Sequence, residues 1–386
     1  MLDKYSSLLE PNEFGPNNLD DVYTLLNPLE PLKSGSEQYV DISSGRSEDF
    51  HSELFRTLNV NPGKQCFQGP PPTSTYIAFS GHVGSGKTTE IYQFMRTCEQ
   101  SNRFNVVFVD VGSELNLKDI HYPDIIMLLV NKMFNSESFA KIPKNYVKKL
   151  ENWFCTRILS SEDIKSYKAS IETDIGGKIG VPFLAKISGL ITAAVSSNNT
   201  HKDILRREIN NNFSSFKDIF NEIVSKVQSE NKDKALLFII DGTDKLGSDA
   251  DKRIFDTDSE QLKNLFGNYI YCVNASSIMS SNHTPINFYL VELPMIKIIE
   301  KDGKPNQCNR NDILRMIFKR IHPDCFDSDE TIEKIVDYSG GHPRQLIRFL
   351  FASRSFSDYR RITTENVEKA LSKNLSMTRF MTKEHY

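Results

Sequence analysis

Three things are missing from this sequence, and each closes off a class of protein. None of the six cysteines (Cys66, Cys98, Cys155, Cys272, Cys308 and Cys325) stands in a Cys-x-x-Cys pair. Zinc ribbons and dithiol redox sites use that spacing, so neither is expected. With no secretory signal at the N-terminus, the cysteines read as reduced thiols of a cytoplasmic protein. Charge of one sign is missing too: 47 basic against 50 acidic residues leave a net charge of −3. A protein that coats DNA or RNA needs a strongly basic balance, so nucleic acid is not favoured as a partner, a local basic patch aside. No long apolar run is present. The most apolar stretch, residues 175–195, is interrupted by Lys178 and Lys186 and broken by glycines and a proline. It falls short of the ~20 uninterrupted apolar residues of a membrane span. From Pro182 onward Phe183, Leu184, Ile187, Leu190 and Ile191 share one helical face, which predicts a helix buried against the rest of the chain or a partner. No internal repeat is visible, and the 39% hydrophobic and 25% charged content is ordinary for a globular protein.

What is present is concentrated at residues 81–88: Gly81, His82, Val83, Gly84, Ser85, Gly86, Lys87 and Thr88. The octet fits the phosphate-binding pattern G-x-x-x-x-G-K-[ST], which background frequencies produce by chance in about one chain in a hundred of this length. A β-prone run, residues 75–80, precedes it, and a helix-like run beginning at Thr89 follows. The glycines let the backbone turn tightly and approach an anion without a Cβ in the way. Successive N–H groups and the helix N-terminus then face the phosphates. Lys87 is expected on the β- and γ-phosphates and the Thr88 hydroxyl on Mg2+.

Further along, residues 105–111, 235–240, 269–274 and 287–293 read as strands. Residues 46–58, 123–134 and one long span, 202–229, read as helices, the last with Ile209, Phe213, Phe216, Phe220, Ile223 and Val227 as its buried stripe. Strands alternating with helices predict an α/β fold: a P-loop NTPase core whose mostly parallel sheet is flanked by helices. Residues 1–45 read as an extended N-terminal arm, 46–300 as the core with an insertion at 135–200, and 301–386 as an α-helical lid. The lid helices are expected near 309–321, 328–338, 342–354 and 363–374. The 235–240 run ends in Asp241, at the sheet edge where open α/β folds bind ligands, so Asp241 is the expected second contact to Mg2+. Asp244 follows within a turn and can orient or deprotonate an attacking water. Asn274 closes the next strand, either facing the γ-phosphate or serving as an ordinary strand-end amide, with Ser276 and Ser277 as alternatives. Gly340 and Gly341 stop one lid helix and Pro343 starts the next.

The order of P-loop, apolar-run-plus-Asp and Gly-Gly-His-Pro-Arg resembles the AAA+/STAND group of P-loop NTPases, over roughly residues 36–354. Residues 239–245, Ile-Ile-Asp-Gly-Thr-Asp-Lys, are similar to the Walker B element of NACHT-type members, and Gly-Gly-His-Pro to the lid motif whose proline packs on adenine. Arg344 then falls where a sensor-2 arginine lies, so Pro343 and Arg344 join the expected nucleotide contacts with residues 81–89. The stretches beginning at Tyr39 and Glu292 are similar to those of uncharacterised bacterial ATPases of this type. The resemblance implies an ATP- and Mg2+-binding, slowly hydrolysing regulatory ATPase, with nucleotide between core and lid and a homo-oligomer as output. It also implies a separate effector protein and a role in anti-phage defence. ATP is expected over GTP because the guanine motif Asn-Lys-x-Asp is absent. Lys245 departs from the pattern by replacing its second acid, and no arginine finger stands out among Arg310, Arg315 and Arg320. Two alternatives remain. A DNA-associated AAA+ loader would use Arg344, Arg348, Arg354, Arg360 and Arg361. A scaffold would hold nucleotide without turnover.

Overall fold

A computed structural model describes residues 2–42, 46, 49–136, 139, 142–158, 200–275, 288–357 and 360–378. The predicted helix within 175–195 lies outside them.

Five strands form one parallel sheet: β1 (Ser74–Gly81), β2 (Phe104–Asp110), β3 (Ala235–Asp241), β4 (Gly267–Asn274) and β5 (Tyr289–Glu292). The order across the sheet is β2-β3-β4-β1-β5. Register runs Asp110 to Asp241 between β2 and β3, Leu237 to Asn268 between β3 and β4, and Ile77 to Tyr289 between β1 and β5. Every residue of β3 is buried, as its unbroken apolar run requires of a strand covered on both faces. β5 lies at the edge, with Tyr289 and Leu290 exposed. The architecture is a five-stranded parallel sheet flanked by helices, followed by a helical C-terminal region.

By contact the chain divides into two compact units: Met1–Phe50, Gly81–Phe94 and Leu293–Tyr386 in one, His51–Ser80 and Met95–Glu292 in the other. This partition cuts across the segments 1–45, 46–300 and 301–386 read from the sequence.

The second unit carries the sheet. Helix α1 (Lys87–Ser101) leaves β1. Helix α2 (Tyr122–Phe134) buries Ile125, Ile126, Leu128 and Leu129 in the sheet's core. Helix α3 (Lys144–Arg157) brings in Trp153, whose Nε1 donates to Ser215 Oγ at 3.0 Å. The predicted long helix at 202–229 is two helices, α4 (Thr200–Asn211) and α5 (Phe213–Glu230). Asn212 breaks them apart with φ −123° and ψ 26°, outside the helical well, while its Nδ2 donates to Glu208 O at 3.2 Å. The buried stripe survives the break because Phe216 N still donates to Asn212 O at 3.1 Å. Arg206 holds α4 to the start of α2, donating from Nε to Asp124 Oδ1 at 3.0 Å and from Nη1 to Asp119 Oδ1 at 3.1 Å.

The first unit has its own core. Helices α6 (Gln307–Phe318), α7 (Asp329–Ser339), α8 (Pro343–Ser355) and α9 (Thr364–Thr378) match the four predicted lid helices within a few residues. The N-terminal segment is not the extended arm its composition suggested. Tyr5, Leu9, Leu19, Val22, Leu26, Val40 and Ile42 are buried among lid residues such as Ile313, Ile317, Phe318 and Leu350. The rings of Tyr5 and Phe318 lie 4.7 Å apart, and Arg354 Nε donates to Leu19 O at 2.7 Å. Burying a large apolar side chain contributes ~1.5–3 kcal/mol, so seven of them hold a segment with almost no regular structure. Between α7 and α8, Gly341 has φ +77°, and a Cβ there would lie 2.0 Å from Ile296 O. Only glycine lets residues 296 and 341 pass this closely.

Candidate nucleotide-binding loop

The segment joining β1 to α1 places its two faces in different surroundings. Five successive carbonyls, Gly81 to Ser85, each accept a hydrogen bond. Lys87 Nζ donates to Gly81 O at 2.6 Å and to His82 O at 3.0 Å. His342 Nε2 bonds Val83 O at 3.1 Å, Arg344 N donates to Gly84 O at 3.4 Å, and Arg46 donates to Ser85 O at 2.8 Å. The N–H groups of Val83, Gly84 and Gly86 donate to no acceptor among the described residues. Gly84 and Gly86 hold φ of +85° and +100°, the left-handed turns that curl successive N–H groups into an anion-binding concavity. Ser85 Oγ is fully buried and has no partner among the described residues. Carbonyls held by the protein, with N–H groups left over, fit a phosphate chain.

His342 ties this loop to the lid. It is the N-cap of α8, where its Nδ1 accepts from Gln345 N at 3.3 Å. The neutral ring therefore carries its proton on Nε2 and donates to Val83 O, and burial lowers the imidazole's pKa, which favours that neutral form. Gly84 packs against the ring: a Cβ there would lie 2.5 Å from His342 Cε1 and 3.0 Å from Arg344 Cβ. Pro343 opens α8 and Arg344 is half-buried behind it. The Gly-Gly-His-Pro-Arg element thus meets the loop backbone directly, a contact between residues 259 positions apart that no local pattern encodes.

Sequence reasoning also missed the N-terminal contribution. Arg46 is 1% exposed and donates from Nη1 to Pro294 O at 2.8 Å as well as from Nη2 to Ser85 O. Its Nη2 lies 3.9 Å from Glu90 Oε1, and Tyr39 OH donates to Glu90 Oε2 at 3.0 Å. Burial raises the Glu90 carboxyl to about 7 against the partial relief of Arg46. Thr89 Oγ1 accepts from Leu32 N at 3.2 Å, and Thr88 is half-buried at the start of α1. The signal for these contacts was a single arginine in a Ser/Gly-rich stretch, too weak to single out.

In the sheet-bearing unit, Asp241 ends β3 and is 1% exposed. Gly242, at φ +84°, turns the chain into a short 3-10 helix, Thr243–Lys245, and Thr243 Oγ1 donates to Cys272 O of β4 at 2.5 Å. Asp244 is buried and Lys245 exposed. A Cβ on Gly112 would lie 3.1 Å from Lys245 Nζ and 3.2 Å from Asp110 Oδ1, so both side chains flank Gly112 just past the end of β2. Asn274 ends β4, adjacent to β3 in the sheet, so it shares an edge with Asp241. Ser276 and Ser277 lie outside the described residues. No cluster of three His, Cys, Asp or Glu side chains suited to a metal occurs among the described residues. Thr88 carries a hydroxyl at the start of α1 and Asp241 a carboxylate at the end of β3, each an oxygen donor of the type hard cations take.

All three arginine-finger possibilities have partners inside their own unit. Arg310 is paired with Glu333 and Asp337. Arg320 is buried, donating to Gln38 O at 3.3 Å and Met316 O at 2.8 Å. Arg315 pairs with Asp312 at 3.4 Å. Of the arginines considered for DNA, Arg354 is buried against Leu19 O, while Arg348, Arg360 and Arg361 are exposed. No helix among the described residues is long and apolar enough to cross a membrane.

No family model matches this chain, and no curated protein matches it. Among solved structures, it is similar to the ORC2 protein of Aeropyrum pernix, solved as ADPNP–ADP complexes (11% identity, 90% of this chain and 71% of that chain, TM-score 0.41). It is similar to Cdc6p of Pyrobaculum aerophilum (12% identity, 91% and 70%, TM-score 0.42) and to a RuvB mutant of Thermotoga maritima (12% identity, 89% and 72%, TM-score 0.35).

Proposed function

We propose that this chain is an ATP-binding, slowly hydrolysing regulatory ATPase of the AAA+/STAND type. One observation carries the reading: the loop 81–86 has its carbonyls engaged by Lys87, His342, Arg344 and Arg46 while the Val83, Gly84 and Gly86 N–H groups are left for an anion. Bound ATP with Mg2+ would supply the reactive γ-phosphoryl group and the charge that polarises it. Lys87 would then exchange its backbone carbonyls for phosphate oxygens, and Thr88 and Asp241 would hold the ion. Asp244 would orient or deprotonate the attacking water, with Asn274 positioning it. Pro343 and Arg344 would report the nucleotide to the lid through the same element that bonds the loop. Homo-oligomerisation would be the output. The wider role, anti-phage defence with a separate effector, rests on the family resemblance alone.

Lys87→Ala tests the site. Titration with a fluorescent ADP analogue should give at least tenfold weaker binding than the wild type, since a phosphate-binding ammonium is lost. Unchanged affinity would mean the nucleotide, if bound, is held elsewhere.

A further inference from the structure

A peptide unit is planar, and its C=O and N–H point in opposite directions. Whatever holds the carbonyl of one residue therefore aims the N–H of the next. Arg46 holds Ser85 O at 2.8 Å, so it aims the N–H of Gly86, which has no acceptor among the described residues. Gly86, at φ +100°, has no Cβ to restrict that plane, so an external clamp decides its orientation. The clamp is well anchored: Arg46 is buried, its second nitrogen bonds Pro294 O at 2.8 Å, and Glu90 stands 3.9 Å away as counter-charge, itself held by Tyr39. A planar guanidinium holds its two carbonyls from two separate nitrogens at a fixed spacing, whereas an ammonium offers all its donors from a single point.

We propose that Arg46 is a positioning residue for the phosphate loop: it fixes the Ser85–Gly86 peptide plane so that Gly86 N–H faces the diphosphate of a bound nucleotide. This deepens the reading of the loop as a nucleotide site and rests on it. Arg46 acts through the backbone and touches no ligand itself, so its loss should be felt only by ligands that carry phosphates.

Calorimetric titration of the full chain with ADP and with adenosine tests this, alongside thermal melting of each variant. Arg46→Lys, which keeps a charge and a donor, should weaken ADP about tenfold and leave adenosine unchanged, and Arg46→Ala should weaken ADP further. A folded Arg46→Lys protein that binds ADP like the wild type overturns the proposal, as does an equal loss for ADP and adenosine, which a merely structural role would produce. A second measurement needs no variant. In the wild type, the Gly86 amide proton should exchange more slowly with ADP than with adenosine, and a Gly86 amide indifferent to ADP also overturns the proposal. A wild type that binds neither ligand removes the nucleotide reading itself, an outcome distinct from the other three.

Discussion

Glu90 sits on the first turn of α1 between a guanidinium and a phenol, and burial rather than either neighbour dominates its ionisation. Its folded-state pKa, raised to about 7 from the ordinary 4.5, means the native protein binds this proton more tightly than the unfolded chain does. Stability from this group is therefore fully present below about pH 4.5, declines as pH rises, and is lost above about 7. Glu90→Gln should flatten that decline. Urea midpoints followed by circular dichroism should fall between pH 5 and 8 in the wild type relative to the variant, and parallel pH profiles would show that Glu90 ionises normally. His342 works in the opposite sense. Its pKa is lowered, so its neutral form belongs to the folded state and its contribution is lost as pH falls below the ordinary imidazole range. These two residues and Arg46 surround the loop 81–86. Only His342 belongs to a motif, and no motif states what it bonds: a buried cation, a raised carboxyl and a capping imidazole are products of what they are packed against.

Helices α3 and α5 meet where Trp153 and Phe216 lie 5.2 Å apart, and Phe220, 6.3 Å from Phe216, continues the aromatic row along α5. Phe216 is fully buried, so Phe216→Ala leaves a cavity as well as losing transfer energy, about 3–5 kcal/mol together. Trp153 is the single tryptophan of the chain, which makes its emission a probe of this contact. The variant should unfold at lower urea, with emission already shifted to the red before the transition; an unchanged midpoint would mean the core refills the space. The strands were legible here because buried parallel strands are continuous apolar runs, and the stripe of α5 because its period is helical. The break at Asn212 was not, since asparagine is tolerated within a helix and only its backbone angles reveal the stop.

Taken as a whole, the chain offers a simple test of the switch reading. Light scattering should find a larger assembly with an Mg2+·ATP analogue than with ADP or no nucleotide, and a mass unchanged across the three would remove oligomerisation as the output. That residues 81–87 join a strand to a helix, that Asp241 ends a strand, and the order of strands and C-terminal helices could be read directly from the sequence, because turn chemistry, apolar periodicity and strand ends are local properties. Packing decided the rest. Residues 1–42 lack periodicity, yet seven scattered apolar side chains commit them to the lid core. Arg310 and Arg320, two of three arginines among which no finger stood out, are engaged by Glu333, Asp337, Gln38 and Met316. The loop's carbonyl partners come from 39 positions upstream and 259 downstream. A sequence states which groups can donate and accept; only the folded chain, by burying them together, chooses which of them must pair.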